Sequence, residues 1–326
     1  MAIDIHAHCV PNGLVDALLA EGRRLGVDVL RDGTATRIRF AGVLTAALDP
    51  SLSDLPARIE AMDRMGVDRQ VVSPFIDLTG YWLDVEPGRR YCGLFNELMA
   101  ETVARVPDRL SALATVPLQS GTAAAAELRR AVTQLGMVGA EIGTDTGPGQ
   151  LDDDDLEPFW EAAAELGCLV LIHPNAAARA QLPYLLSNFV GNPADTTMAA
   201  ARLIFGGVLD RHPGLRVCLV HGGGFLPYQI GRLDRGFRVY GSEFGARLTS
   251  APRELLGRLY HDTVLHSIDA LRMLIDLVGV AQILLGTDYP FEMGDLDPLS
   301  TLARVPGLDD RGRRLITRGN AERLLG

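Results

Sequence analysis

The chain has 326 residues, 47% of them hydrophobic and 22% charged, so it is long enough to bury a large core and has the composition of a compact globular protein. Its formal net charge of −10 at pH 7, without any basic block, argues against nucleic acid as a partner, because such proteins rely on clustered cationic charge. The apolar runs are strand-sized and the first residues do not resemble a signal peptide, so we expect a cytoplasmic protein that enters no membrane.

The cationic side chains are all of one type, since each of the 31 is arginine. The absence of lysine excludes a Schiff-base lysine, a phosphate-loop lysine and a carbamylated lysine that bridges two metal ions. The four cysteines form no CxxC pair, and we interpret them as thiols of a reducing compartment: Cys9, Cys92, Cys168 and Cys218.

The first strand-like run begins at Met1 and leads into the segment Asp4-Ile5-His6-Ala7-His8. Residues two apart on a strand point to the same face, so His6 and His8 present two imidazoles side by side. Metal ligands use this spacing, although a histidine pair at a strand end is more often simply hydrogen bonded. The pair therefore indicates a metal site only if further ligands reach the same place.

Residues 12–50 interrupt the pattern of apolar strands. Leu14 to Leu19 has the composition of a short helix, and Thr36 to Phe40 alternates polar and apolar residues like an exposed strand. Gly33 and Gly42 mark turns on either side of that strand. We predict that residues 12–50 are an insertion that forms a small sheet or a lid over the mouth of the site.

From Asp54 onwards, helical and strand-like segments alternate. Most of the strand-like runs are apolar on both faces, which is typical of a parallel sheet covered by helices. Eight such units close naturally into a barrel, so we predict an α/β fold, a single (β/α)8 TIM barrel over residues 1–326 with the insertion after its first strand. The eight runs begin at Met1, Val67, Leu110, Met137, Leu169, Leu215, Leu259 and Gln282.

Three further polar residues come directly after strand-like runs: His173 after the fifth, His221 after the sixth and Asp288 after the eighth. In a (β/α)8 barrel the functional residues lie at the C-terminal ends of the strands, so we expect these three to meet His6 and His8. Three imidazoles and one carboxylate suit Zn²⁺, and Mn²⁺ or Co²⁺ would also fit. Such an ion would lower the pKa of a bound water toward neutrality.

His221 is followed by three glycines, which leave room for a substrate and let a helix begin close to the site. It is either a fourth imidazole ligand or a general base beside the metal. We favour the base, because three histidines and Asp288 already fill the protein share of a mononuclear catalytic site.

Several segments of the chain resemble motifs of the amidohydrolase-related family of metal-dependent enzymes. They are Asp4 to His8, Ile172 to Pro174, Val220 to Gly224 and Gly286 to Phe291. The segments Arg58 to Asp63 and Gly231 to Asp234 are similar to the 2-amino-3-carboxymuconate-6-semialdehyde decarboxylase-like branch of that family. The resemblance covers essentially the whole chain, and its motifs are more specific for the superfamily than for a substrate.

The resemblance implies one divalent metal ion bound by His6, His8, His173 and Asp288, with His221 as the acid or base of the reaction. Asp288 and His221 are the candidate catalytic residues. In a decarboxylation, either would supply the proton that takes the place of carbon dioxide on the substrate carbon.

The resemblance also implies that Arg58 and Arg232 hold a substrate carboxylate. Arg232 would come from a neighbouring subunit of a homodimer or a higher homo-oligomer. An arginine fork binds a carboxylate in bidentate fashion, which agrees with this role. A surface or structural salt bridge is nevertheless the better explanation for an arginine chosen at random.

The chain departs from that branch at positions near the expected substrate. Asn175 replaces a tryptophan, Tyr240 an arginine, His266 an aromatic residue, and Glu292 a proline that follows Phe291. We predict that His266 and Phe291 contact a small carboxylate substrate that differs from the one used by the related enzymes.

These observations favour a metal-dependent nonoxidative decarboxylase of a small aromatic, heteroaromatic or unsaturated carboxylic acid. The alternative is a hydrolase of a lactone, amide or amino-aromatic that uses the same metal-bound hydroxide. The missing lysine favours the decarboxylase slightly, because hydrolases of the wider superfamily often use a lysine-bridged binuclear centre. A catalytically idle metal-binding scaffold is disfavoured by the intact ligands and His221.

Overall fold

The computed structural model describes residues 1–147, 149–175, 182–243 and 248–325; residue 326, the end of the predicted domain, lies outside these ranges. The described chain forms the strands β1 (Ile3–Cys9), β2 (Val27–Asp32), β3 (Ala35–Phe40), β4 (Val43–Leu44), β5 (Arg69–Pro74), β6 (Leu110–Ala112), β7 (Gly139–Gly143), β8 (Leu169–His173), β9 (Arg216–Leu219), β10 (Tyr260–Asp262) and β11 (Ile283–Leu284). Each of the eight predicted strand-like runs overlaps one of these strands.

The helices alternate with the strands along most of the chain. They are α1 (Leu14–Leu25), α2 (Leu55–Met65), α3 (Val85–Val103), α4 (Gly121–Gln134), α5 (Glu157–Leu166), α6 (Asn192–Phe205), α7 (Val208–Arg211), α8 (Leu226–Tyr240), α9 (Pro252–Leu256), α10 (Ile268–Val278), α11 (Pro298–Ala303), α12 (Asp310–Arg314) and α13 (Asn320–Leu325). The α/β class is confirmed. Within the described ranges, none of these helices has both the length and the apolar character that crossing a membrane requires.

The parallel strands form two groups. One has the order β1-β5-β6, and the other has the order β11-β10-β9-β8-β7. Isolated parallel bridges join the groups at both ends, one between Ala7 and Tyr289 and one between Ala114 and Ala140. All strand ends that carry a predicted ligand therefore lie at the same edge of the sheet system.

Two buried clusters show which way the strand residues face. The smaller, inner cluster draws mostly on strand residues, among them Leu169 and Leu171 of β8. The larger, outer cluster contains the buried faces of the helices and includes Val170 and Ile172. This alternation has the period of two expected of a strand, so His173, two residues after Leu171, faces inward.

The segment after β1 contains a separate antiparallel sheet with the order β2-β3-β4, which follows α1. Ile38 and Phe40 of β3 are completely buried, and the Phe40 ring lies 5.0 Å from the ring of Tyr91 in α3, centroid to centroid. One face of the small sheet is therefore packed against the main body of the protein, because its alternate residues are apolar.

Candidate metal centre

The four predicted metal ligands lie together at the C-terminal ends of the parallel strands. His6 and His8 lie on β1, His173 ends β8, and Asp288 follows β11. One ligand atom from each side chain lies within 4.8 Å of those from the other three, and all four residues are buried. Residues that are far apart in the sequence thus converge on one point.

An irregularity in β1 turns both of its histidines toward that point. Asp4 pairs with Gln70 of β5 but Ala7 pairs with Val72, so β1 contains one extra residue between these pairs. An extra residue in one strand moves the following side chains to the opposite face. Ile3 and Ile5 accordingly lie in the inner cluster, whereas Ala7 and Cys9 lie in the outer one, which leaves His6 and His8 facing inward.

The Nδ1 atom of each of the three histidines faces a hydrogen-bond acceptor. The acceptors are Asp262 Oδ2 at 2.6 Å for His6, Pro74 O at 3.0 Å for His8 and Pro174 O at 3.0 Å for His173. A carbonyl oxygen can only accept, so His8 and His173 donate from Nδ1, and an ionised Asp262 carboxylate gives His6 the same direction. Each ring, when neutral, then has its lone pair on Nε2. Such outer partners are typical of metal-ligating histidines.

The Nε2 atoms of His6 and His8 and the Asp288 carboxylate lie close together. The Nε2 atoms of His6 and His8 are 3.2 Å apart and lie 3.3 and 3.2 Å from Asp288 Oδ1. Asp288 Oδ1 is buried and accepts no hydrogen bond from the described residues. A divalent cation satisfies this donor set, and the cluster indicates a divalent metal site.

The local environment shifts the pKa of several of these groups. Burial lowers the pKa of His6, but the charge of Asp288 and the hydrogen bond with Asp262 outweigh it and raise that pKa well above its usual value, so a cation would have to displace a proton from this ring. Burial lowers the pKa of His173 well below its usual value, and the neighbouring His8 and His221 lower it further, so the ring is neutral. Burial raises the pKa of Asp288, but the charge of His6 and the hydrogen bond from His221 outweigh it and hold that pKa well below its usual range. The carboxylate is therefore ionised.

His221 lies beside the four ligands in a strained turn. Its Nε2 is 3.4 Å from Asp288 Oδ2, the carboxylate oxygen that faces away from His6 and His8. The backbone is left-handed at His221 (φ 53°) and at Gly222 (φ 63°). A side chain at Gly224 would collide with the Pro193 carbonyl oxygen, 2.2 Å from an ideal Cβ, so glycine is required for this close approach.

A cavity of about 700 Å³ opens above the cluster and is lined by His173, His221 and Asp288. His266 and Phe291, the two predicted substrate contacts after β10 and β11, both line it as well. The Phe291 ring lies between other side chains of the site, with its centroid 5.2 Å from that of His8 and 5.6 Å from that of Phe75. Their contact with a substrate stays a prediction.

Arg58 does not line this cavity, contrary to the role expected of it. It is only 1% exposed, and its guanidinium donates to Gln70 Oε1 at 2.7 Å and to the His8 carbonyl oxygen at 2.5 Å. The same group lies 4.9 Å above the centroid of the Tyr289 ring. These contacts occupy the guanidinium in the interior, so the expected grip on a substrate carboxylate finds no support in this geometry. We assign Arg58 instead to the placement of the His8 backbone.

Arg232, the second predicted carboxylate contact, and the positions where the chain differs from the related branch lie at different distances from the cavity. Arg232 is exposed on α8 and does not line the cavity of its own chain. Glu292 lines the cavity, Asn175 is buried and donates to Thr79 Oγ1 at 3.4 Å, and Tyr240 is exposed at the end of α8.

Two buried carboxylates beside the ligands were missed in the sequence. Asp262 ends β10 and bonds His6, as described above; Glu141 of β7 places Oε2 3.7 Å from His8 Nδ1. Burial raises the pKa of Glu141 to about 7. The sequence did contain a signal for them, namely an acidic residue inside an otherwise apolar strand. Burying a carboxylate costs free energy unless it has hydrogen-bond or charged partners, so such a residue indicates that partners are nearby.

Comparison with known proteins agrees with this site. The family model described as Amidohydrolase matches residues 3–326. A 2-amino-3-carboxymuconate-6-semialdehyde decarboxylase from Dictyostelium discoideum is 33% identical over 331 aligned residues, which cover 100% of this chain and 92% of the relative. The resemblance predicted from the motifs is therefore confirmed.

Solved structures show the same architecture. 5-Carboxyvanillate decarboxylase LigW from Sphingomonas paucimobilis has a TM-score of 0.83 at 27% identity, covering 99% of this chain and 98% of that chain. A dihydroxybenzoic acid decarboxylase from Polaromonas sp. JS666, solved with bound manganese and an inhibitor, has a TM-score of 0.77 at 23% identity, covering 99% and 96%. The family match over nearly all residues and the full-length relative together establish that the chain belongs to the amidohydrolase family.

Proposed function

We propose that the chain is a metal-dependent nonoxidative decarboxylase of a small aromatic, heteroaromatic or unsaturated carboxylic acid. The observation that carries this proposal is the buried group of three Nε2 atoms and one carboxylate at the floor of a cavity, with His221 beside it. The full-length relative and the LigW structure are both named as decarboxylases, which supports the same reaction class.

The metal ligands are His6, His8, His173 and Asp288, and the ion is Zn²⁺. A bound divalent ion supplies positive charge that stabilises a substrate anion. The three imidazoles favour zinc, whereas the manganese of the Polaromonas structure makes Mn²⁺ the first alternative to compare.

Proton transfer falls to His221 and Asp288. In the reaction the bond between the substrate carbon and its carboxylate breaks, carbon dioxide leaves, and a proton takes its place on that carbon. His221 faces the cavity and contacts Asp288 Oδ2, so the pair is placed to hold a proton and deliver it to a substrate in the cavity.

The substrate is held by the cavity walls and by an arginine from outside the chain. The aromatic rings of Phe75 and Phe291 suit a flat, unsaturated molecule, and His266 supplies a hydrogen-bond donor. In the described part of the chain no arginine lines the cavity. We therefore assign binding of the substrate carboxylate to Arg232 of a neighbouring subunit, since Arg232 is exposed on α8 and available to another chain.

A homodimer or higher homo-oligomer follows from this assignment. Its support is a run of large apolar side chains that the single chain leaves exposed, namely Tyr184, Leu185, Phe189 and Val190, of which Phe189 lines the cavity. Contiguous apolar groups of this kind mark interaction surfaces.

The remaining architectural predictions belong to the same proposal. We propose that residues 1–326 form one closed (β/α)8 barrel, supported by the bridges at both junctions of the strand groups. Residues 12–50 are then an insertion that covers part of the mouth, supported by Ala46 and Asp49 in the cavity wall. The four described cysteines are free and buried, which supports a cytoplasmic location.

The test is to incubate the Zn²⁺-loaded and Mn²⁺-loaded protein with a panel of benzoic, pyridine and dienoic carboxylic acids. Release of carbon dioxide with a product lighter by that mass supports the decarboxylase. A product that has gained water or lost ammonia supports the hydrolase instead. A chain that binds the ion but converts no acid of the panel contradicts the proposal.

A further inference from the structure

Asp262 is fully buried between two parts of the site. Its Oδ2 accepts a hydrogen bond from His6 Nδ1 at 2.6 Å. Its Oδ1 accepts from the backbone N–H of Gly222 at 2.8 Å and from that of Val264 at 3.2 Å. One carboxylate therefore contacts both a metal ligand and the turn that carries His221.

The contact with His6 fixes the ring nitrogen that faces the ligand cluster. A neutral imidazole has one proton, so a ring that donates from Nδ1 leaves Nε2 free to bind a cation. His8 and His173 are held in this tautomer by backbone carbonyl oxygens. For His6 the nearest Nδ1 partner is the Asp262 carboxylate at 2.6 Å, whereas for His8 it is the Pro74 carbonyl at 3.0 Å with Ser73 Oγ farther away at 3.3 Å. The orientation of His6 therefore depends on the identity of residue 262.

The contact with Gly222 holds the strained turn. The Gly222 N–H belongs to the peptide that joins it to His221, and both residues have left-handed backbones. A backbone of this kind persists only when its surroundings fix it. The bond to Asp262 therefore sets where the His221 ring lies relative to Asp288.

We propose that Asp262 is a positioning residue with two tasks: it sets the tautomer of His6 for metal binding, and it anchors the turn of His221. This inference rests on the metal site of the proposed function, though not on the identity of the substrate.

Two substitutions separate the tasks. Asp262→Asn keeps an oxygen for the two backbone N–H groups and turns its amide donor toward His6, which forces the opposite tautomer. Asp262→Ala removes both contacts. The control is Asp210→Asn, since the Asp210 carboxylate also accepts from two backbone N–H groups, those of Thr249 and Ser250, but lies outside the cavity wall.

The first measurement is Zn²⁺ affinity by competition with a chelator. We expect Asp262→Asn to bind about 10- to 100-fold more weakly than the parent, because partners of metal-bound histidines contribute effects of that size. Asp210→Asn should bind like the parent. If the parent binds no Zn²⁺, the proposed metal site itself fails; if the parent binds and Asp262→Asn binds equally well, only the role of Asp262 is overturned.

The second measurement is NMR of the ¹⁵N-histidine-labelled parent with Zn²⁺, with His6 assigned by its loss in His6→Gln. We expect a strongly deshielded proton on His6 Nδ1. Its absence overturns the tautomer assignment without any variant of Asp262, so the test holds even if those variants do not fold.

The third measurement is the rate at saturating Zn²⁺. We expect excess Zn²⁺ to restore turnover in Asp262→Asn, whereas Asp262→Ala stays about 10-fold slow because its His221 turn is no longer anchored. Equal recovery of the two variants overturns the anchoring task.

Discussion

The floor and the rim of the cavity are built in opposite ways. The floor consists of buried side chains at strand ends, such as His6 and His173, whose Nδ1 atoms each have a defined partner. The rim consists of partly exposed residues after the strands, such as Phe189, Phe225 and Met293. The difference teaches that the proposed chemistry rests on the regular part of the fold, whereas the proposed substrate contacts lie on irregular segments that could change without disturbing it.

The largest expected effect comes from breaking the floor. We expect His173→Ala to abolish tight binding of Zn²⁺ and to lower turnover below detection, because it removes one of three converging Nε2 atoms. Metal content after dialysis and carbon dioxide release measure this. His212→Ala is the control, since His212 bonds Glu157 away from the cavity. A variant that keeps one tightly held ion and full rate would show that His173 is not a ligand.

The next effect separates the acid or base from the ligands. We expect His221→Ala to retain the ion but to lose about 10²- to 10⁴-fold in turnover, the range of a general acid or base. His221 lies outside the four-residue ligand group, so its removal leaves the donor set complete. The number of metal ions bound per chain and the turnover rate are measured on the same sample. Loss of the ion together with activity would instead make His221 a fourth imidazole ligand.

A stability effect distinguishes the two interpretations of Arg58. We expect Arg58→Met to lower the free energy of unfolding by about 2–4 kcal/mol, because Gln70 Oε1 and the His8 carbonyl oxygen lose a buried donor. Denaturant unfolding measures this. KM in the folded variant should change little. A large rise in KM with unchanged stability would restore the substrate-binding role that the sequence predicted.

The smallest effect is expected at the rim. We expect His266→Asn to change KM by roughly 10-fold or less and to shift the order of preference among acids, with unchanged metal content. Asparagine tolerates the left-handed backbone at this position, where φ is 53°. Steady-state kinetics across the acid panel provide the measurement. An altered ion stoichiometry would show that rim and floor are coupled.

The sequence predicts the floor well because its signal is regular. An apolar run followed by histidine or aspartate identifies a strand end, and parallel strands bring such ends together, which is why His173 and Asp288 could be assigned from spacing alone. Asp262 was missed because its importance comes from a contact with His6, 256 positions away. Spacing along a chain contains no information on which buried polar groups meet across a sheet.

Arg58 shows the limit of inference from a motif. The resemblance of its segment to the related branch implied a substrate contact. Whether a guanidinium points to a cavity or to the interior depends, however, on helix orientation and on neighbours such as Gln70. Neither can be computed from local pattern. The side chains that line the rim could not be predicted for the same reason, since irregular segments have no period that fixes which side chains point into the cavity.

The extra residue in β1 shows that the two-residue spacing of His6 and His8 is not enough to place both rings at the metal site, because the spacing does not determine the face of the strand. If this segment were paired regularly from Asp4 onwards, positions 6 and 8 would share the face of Asp4 and both rings would point toward the surrounding helices. Deleting Ile5 should remove the irregularity and still leave both imidazoles facing the cluster, because His6 would then follow Asp4 directly and lie opposite Val71. A transplant of this centre to another scaffold must therefore copy the strand face that the two histidines occupy, and not only their spacing.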